Sequence, residues 1–259
     1  MTALGQPAAA VRARPRTSRA VWLIPVGLIL LTMIPIMSGA FRLTQLSGGP
    51  ELIPEAARFT DFPVPVIAHI VAGVVFSVVG AFQFVPQLRR ERRSWHRMAG
   101  RVLIPAGFVL AISALWMATL SDLPVGDGPA LLVIRWVFGS YLIAALVLAV
   151  RALVRRRYAV HGAWMTRAYA LGVAAGTQAF ALIPGSMMFG SSDETSRAVA
   201  MTVGWLVNLA VAELVIWRRR RRAGGPAAAH GGRLRPSSGR GGAARRLNPR
   251  SRPATRPPR

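Results

Sequence analysis

The sequence predicts an all-α integral membrane protein, a polytopic bundle of about six transmembrane helices with both termini in the cytoplasm. Of its 259 residues, 53% are hydrophobic, and the mean hydropathy is +0.39. Only 16% are charged, whereas about a quarter is usual in soluble domains. Long apolar runs alternate with short arginine clusters, which is typical of a chain that crosses a bilayer repeatedly.

Six apolar stretches are long enough to cross the bilayer, since a helix needs about 20 apolar residues to span the hydrocarbon core. The first follows a basic amino-terminal segment and has a longer apolar core than the roughly 7–15 residues of a signal peptide, so we interpret it as an uncleaved signal anchor. The predicted helices are 21–41, 65–87, 100–120, 130–153, 164–189 and 198–217.

The distribution of charge predicts the orientation. With the amino terminus inside, 29 of the 33 arginines fall on one side of the membrane, and seven of the nine acids fall on the other. We call these the arginine-rich side (loops 88–101 and 151–167) and the acidic side (loops 44–63, 121–129 and 190–197). Because short cytoplasmic loops carry the excess of basic residues, the arginine-rich side is predicted to face the cytoplasm of a bacterial inner membrane.

Three regions follow from this pattern. Residues 1–20 form a basic cytoplasmic segment, residues 21–217 form the six-helix transmembrane domain, and residues 218–259 form a tail with almost nothing apolar to bury. Such a tail is predicted to be disordered. Its fourteen arginines, with those of the loops, are expected to attract anionic lipid headgroups of the bilayer.

Several functional classes are excluded or disfavoured by composition. The chain has no cysteine, which excludes disulfides, thiolate metal sites and a cysteine nucleophile. It also lacks the phosphate-binding, zinc-protease and serine-hydrolase motifs. The net charge of +24 lies mostly in the tail and loops, so the membrane explains it and no nucleic-acid partner is expected.

Ionisable residues near or within the predicted helices are the candidate functional residues, because burying them in a bilayer is costly. His69 and Arg135 lie near the acidic side, whereas His96 and His161 lie at the arginine-rich boundary of two similar helical hairpins. Imidazoles are common axial ligands of b-type haem. His96 and His161 are therefore candidate ligands of a haem iron or another metal. His69 is a candidate for proton or quinone handling, and packing with a hydrogen bond to a neighbouring helix is its alternative role.

Arg101 and Arg167 follow these two histidines by about one helical turn. Their guanidinium groups suit haem propionates, a quinone or a lipid phosphate. Glu213, near the inner end of the last helix, is predicted to neutralise one of the two. Binding of headgroups or loop carbonyls remains an alternative role for the arginines and for His96 and His161.

The same residues resemble a family of bacterial membrane proteins catalogued as domain of unknown function 2306. The resemblance covers roughly residues 65–185 and implies a multi-helix fold without implying an activity. It directs attention to His69, His96, Arg101, His161 and Arg167. The matching residues are His69, Gly73, Gly80, Gln83-Phe84, Arg89-Arg90, His96-Arg97, Gly100-Arg101, His161, Trp164-Met165, Arg167 and Tyr169.

Two functional classes stay open from the sequence, and neither decides whether the chain is an enzyme. One is a redox protein with a b-type haem or a quinone at the cytoplasmic face. The other is a binding or transport protein that recognises an anionic headgroup or solute, or a structural subunit of a membrane complex. Transport is disfavoured at this point, because transporters typically have broken helices and polar groups at the midplane.

Overall fold

The computed structural model describes residues 19–54, 56–124, 126–189 and 193–223. Every regular element within these ranges is helical and none is a strand, so the all-α prediction is confirmed. The predicted amino-terminal segment up to residue 18 and the tail beyond residue 223 lie outside the described residues.

The fold consists of long apolar helices joined by short connections. Five helices (α1, α2, α4, α5 and α8) have the length and hydropathy to cross a membrane by themselves. Two shorter helices, α6 and α7, follow one another directly and together form the sixth crossing, which confirms a bundle of about six. The bounds are α1 Leu23–Leu46, α2 Val64–Phe82, α3 Pro86–Glu91, α4 Arg93–Leu120, α5 Pro129–Val154, α6 Tyr158–Gly172, α7 Ala174–Phe189 and α8 Glu194–Ala223.

Helix bounds differ from the prediction mainly on the arginine-rich side. There α4 begins at Arg93 instead of residue 100, and α8 runs to Ala223, six residues into the segment assigned to the tail. Hydropathy detects only the part of a helix that lies in hydrocarbon, whereas arginine is a good helix former in water. The second predicted helix is likewise divided, since α2 ends at Phe82 and α3 begins at Pro86.

The predicted fifth helix is interrupted at Val173, between α6 and α7. At this level Asn208 of α8 reaches across the break. Its Nδ2 donates to the carbonyl of Ala170 at 2.9 Å, and its Oδ1 accepts from the hydroxyl of Thr177 at 2.7 Å. A polar side chain inserted at this point satisfies backbone groups that would otherwise face an apolar interior.

Helices approach one another closely around the Phe76 side chain at the centre of the bundle. Phe76 of α2 is 1% exposed. A Cβ added at Gly172 or Gly107 would come within 2.6 Å and 2.8 Å of its ring, so only glycine fits at either position. Nearby, the hydroxyl of Tyr169 donates to the carbonyl of Ser77 at 2.8 Å and ties α6 to α2. This arrangement supports close helix packing through small residues.

Candidate functional site

A cavity of about 310 Å³ lies among the helices in the half of the bundle nearer the acidic side. Helices α2, α4, α5, α6, α7 and α8 all contribute to its wall, which is mostly apolar. Few polar side chains reach it, so each of them is informative about what the cavity can bind. The polar lining residues are Arg58, His69, Arg135 and Gln178.

His69 has a defined tautomer in this cavity. Its Nδ1 lies 3.2 Å from the carbonyl oxygen of Leu110 and 3.1 Å from the hydroxyl of Ser113. A carbonyl oxygen can only accept, so Nδ1 carries the proton. The Ser113 hydroxyl donates to the carbonyl of Val109 at 2.6 Å and is free to accept from His69. Nε2 therefore keeps its lone pair, and it has no hydrogen-bond partner among the described residues.

Arg135 of α5 enters the cavity beside a buried carboxylate. The Asp127 side chain is fully buried and lies 2.5 Å from Arg135 and 2.5 Å from Arg197 of α8. The contact with Arg197 is also a hydrogen bond, whereas the contact with Arg135 is an ion pair without hydrogen-bond alignment. Asp127 is therefore the partner of both Arg135 and Arg197.

The loop between α1 and α2 covers the cavity from the acidic side. Arg58 and Phe59 line it there, and the Arg58 guanidinium carbon lies 5.0 Å from the centre of the Phe59 ring. Arg58 Nε also donates to the carbonyl of Asp122 at 2.6 Å. Two of the three loops on the acidic side are therefore joined beside the cavity.

An aromatic pair forms one wall of the cavity. Phe138 and Trp205 stack with ring centres 4.7 Å apart and planes 16° from parallel. Gln178, also on the wall, donates from Nε2 to the carbonyl of Met201 at 3.1 Å, which leaves its side-chain oxygen as an acceptor. The cavity lining thus combines an aromatic pair with two cationic donors and two acceptors.

His96 and His161 lie together at the other end of the bundle, on the arginine-rich side. The two imidazole rings are close enough to interact electrostatically. His161 Nδ1 lies 2.9 Å from the carbonyl of Ala149, so this nitrogen carries the proton and Nε2 keeps its lone pair. His96 Nδ1 is buried without a partner. The third histidine is remote, because the contact of His69 with Leu110 lies about 21 Å along α4 from His96.

The two arginines predicted for this side differ in their surroundings. Arg167 forms a double contact with Glu213, with distances of 2.5 Å and 2.9 Å, and its guanidinium carbon lies 4.5 Å from the Trp164 ring centre. The predicted pairing of Glu213 is thus confirmed for Arg167. Arg101 is exposed, and it makes no hydrogen bond or ion pair within the described part of the chain.

Sequence reasoning missed several residues of these sites. Ser113 is one polar residue in an apolar helix, and no motif distinguishes it. Arg219 was assigned to the tail, although it lies on α8 with its guanidinium carbon 5.9 Å from the centre of the Phe84 ring. Gln87, on the arginine-rich side, was also missed; this residue and Gln83, which the family resemblance included, each bury a polar atom without a partner.

Metal ligation is limited to small ligand sets. Among residues 19–54, 56–124, 126–189 and 193–223, no three histidine, aspartate or glutamate side chains are grouped to hold an ion. A haem iron needs only two axial side chains from the protein, so this finding does not bear on the pair His96 and His161.

Comparison with known proteins assigns the family. Residues 66–216 match the family model described as predicted membrane protein (DUF2306). The chain matches no curated protein and no solved structure. The family match spans more than half of the chain and includes all of the helices that form the cavity. This protein therefore belongs to the DUF2306 family of membrane proteins.

Proposed function

We propose that this protein binds a quinone or quinol in the His69 cavity and takes part in a membrane redox reaction. The observation that carries the proposal is the unpaired Nε2 of His69, a residue that lines an apolar cavity together with Arg135. A quinol hydroxyl donates to an imidazole lone pair, and a quinone carbonyl accepts from a guanidinium group. One site can therefore hold both redox forms of the same molecule.

The remaining walls support a flat ring. The stacked rings of Phe138 and Trp205 offer an apolar surface against which a quinone head can pack. A volume of about 310 Å³ is at the lower end of the range of roughly 300–1,000 Å³ for small-molecule pockets. This size suits a quinone head whose isoprenoid tail extends between helices into the lipid.

The proposal is tested by titrating the full-length protein in nanodiscs with a short-tailed benzoquinone. Changing His69 to phenylalanine keeps an aromatic ring but removes Nε2, and we expect about tenfold weaker binding, equivalent to one hydrogen bond. Thr119→Val is the matched control, since this hydroxyl contacts Leu115 and Trp136 outside the polar lining. If folded His69→Phe protein binds as tightly as the control, the proposal is wrong.

A second candidate is a b-type haem held by His96 and His161 on the arginine-rich side. The observation that favours it is the bond from His161 Nδ1 to the Ala149 carbonyl, because such a bond orients the other nitrogen of metal-ligating histidines. When bound, haem would supply one-electron transfer. A reduced-minus-oxidised visible spectrum of protein expressed with haem supplied tests this. A stoichiometric b-type signal lost in His96→Ala and His161→Ala supports it, and a colourless folded protein refutes it.

A transport role for the His69 cavity is the alternative to a redox role. The interruption at Val173 favours it, since transporters often place their substrate beside a broken helix. Gly172 and Ala175, on either side of the break, line the cavity. Uptake of the benzoquinone-sized ligand into sealed proteoliposomes, absent with His69→Phe, would favour transport over redox chemistry.

A further inference from the structure

A cluster of two arginines and two histidines lies on the arginine-rich side, far from the His69 cavity. We call the end of the bundle around Arg89, His96, His161 and Arg219 the basic mouth. Arg219 and Arg89 are close enough for their charges to repel, and the His96 ring lies close enough to Arg89 and to His161 to interact with both electrostatically. Within the described residues none of the four forms an ion pair. The mouth therefore carries positive charge that no described carboxylate pairs with directly.

The arrangement of Arg219 is defined by its neighbours. Its guanidinium carbon lies 5.9 Å from the centre of the Phe84 ring, and Nη1 lies 3.4 Å from the hydroxyl of Thr166. The nearby acid on the same helix, Glu213, is already engaged by Arg167. An arginine held beside other cations in this way has most of its donors available to an anion.

Buried polar atoms without partners occur in the same region. They are Nε2 of Gln83, Oε1 of Gln87 and Nδ1 of His96, all within 14 residues of the chain. Leaving such an atom unpaired costs about 1–3 kcal/mol, so native structures usually supply a partner from water or a ligand. The three atoms include one donor, one acceptor and one imidazole nitrogen that can do either.

We propose that the basic mouth binds a phosphate ester whose headgroup also carries hydroxyl groups. Arg89 and Arg219 recognise the phosphate, because guanidinium groups match its geometry. Gln83 Nε2 can donate to a phosphate oxygen, whereas Gln87 Oε1 needs a donor, which a headgroup hydroxyl supplies. Choline headgroups have no such hydroxyl and carry a cation that the mouth repels.

The same chemistry occurs in an anionic phospholipid and in a soluble phosphate ester. Phosphatidylglycerol provides it at the membrane surface, and glycerol 3-phosphate provides it in water. The site is discrete, which distinguishes it from the diffuse attraction of arginines to anionic lipid. It does not depend on the proposed quinone site, which lies at the other end of the bundle.

The test measures thermal unfolding of the full-length protein in detergent with phosphatidylglycerol, phosphatidylcholine or glycerol 3-phosphate added. A ligand that binds only the folded state raises the midpoint in a saturable way. We expect a saturable rise with phosphatidylglycerol and none with phosphatidylcholine. A rise with glycerol 3-phosphate as well would support the site and assign it a soluble ligand.

Two variants and one control distinguish a discrete binding site from nonspecific attraction of arginines to anionic lipid. Arg219→Gln is expected to raise about tenfold the phosphatidylglycerol concentration that gives half of the full midpoint rise. Arg218→Gln, on the same exposed end of α8, is expected to leave this concentration unchanged. Gln87→Leu removes a buried unpaired acceptor, so it should raise the unfolding midpoint without lipid and reduce the additional rise with lipid.

The proposal is overturned by any of three results: no rise with either phosphate ester, equal rises with phosphatidylglycerol and phosphatidylcholine, or equal weakening by Arg219→Gln and Arg218→Gln. Gln87→Leu keeps the test decisive if Arg219→Gln fails to fold. A purely structural Gln87 would lower the midpoint on substitution and leave the lipid effect intact.

Discussion

Asn208 of α8 donates to the carbonyl of Ala170, which lies one turn before the break between α6 and α7. In an uninterrupted helix the partner of that carbonyl would be the backbone amide of Ala174, the first residue of α7. The side chain of another helix thus takes the place of a backbone donor. The break and its partner lie beside the cavity, where Gly172 and Ala175 form part of the wall.

Replacing Asn208 with leucine should destabilise the bundle by about 1 kcal/mol, the usual scale for interhelical hydrogen bonds in membranes. The loss arises because the carbonyl of Ala170 and the hydroxyl of Thr177 lose their partner. Reversible unfolding in mixed micelles measures it. Thr202→Val on the same helix is the control, since that hydroxyl bonds only its own helix at Ala198. Equal stability of the two variants would contradict this role for Asn208.

Replacing Asp127 with alanine should cost about 2–3 kcal/mol of stability. Removing one partner from a buried ion pair leaves charge without compensation, here on both Arg135 and Arg197. The two arginines are 21% and 25% exposed, so water moderates the cost. Thermal unfolding of the purified protein is the measurement. Asp122→Ala, at an exposed position in the same loop, should change the midpoint little; a comparable loss there would exclude a special role for Asp127.

The interaction between Arg167 and Glu213 should contribute little to the free energy of unfolding. Glu213 is 51% exposed, so solvent screening limits the interaction to about 0.5–1 kcal/mol. Arg167→Gln should nevertheless cost more than Glu213→Gln, because only the former also removes the contact with Trp164. A double-mutant cycle measures both quantities. A cost for Glu213→Gln that equals or exceeds that for Arg167→Gln would show that the ring contact contributes nothing.

The orientation can be tested by thiol labelling, and because the chain has no cysteine, each introduced thiol is the only one that the chain offers to the reagent. Glu51→Cys and Arg155→Cys place single thiols at exposed positions on the acidic and arginine-rich sides. In intact cells, a membrane-impermeant maleimide should label the first and not the second, since arginine-rich loops stay in the cytoplasm. The reverse pattern would invert the proposed topology.

Much of the architecture was predictable from local sequence. Hydropathy alone located the five helices that are long and apolar enough to cross a membrane, because each must present about 20 apolar residues to the lipid. Charge pairing was predictable in part, since Glu213 was expected to pair with Arg101 or Arg167 and pairs with Arg167. The prediction concerning His96, His161 and a haem remains untested.

Hydropathy could not locate the ends of helices that extend beyond the apolar region, nor the break at Val173. It is averaged along the chain and does not register contacts between different helices. The break depends on Asn208, which is 38 residues away from Ala170 in sequence. Likewise, nothing in α2 or α4 alone shows that Ser113 and Leu110 fix the proton of His69. The sequence by itself determined which segments lie in the membrane, since transfer to lipid depends on local composition. Only the tertiary structure decided which polar atoms find partners, because those partners come from different helices.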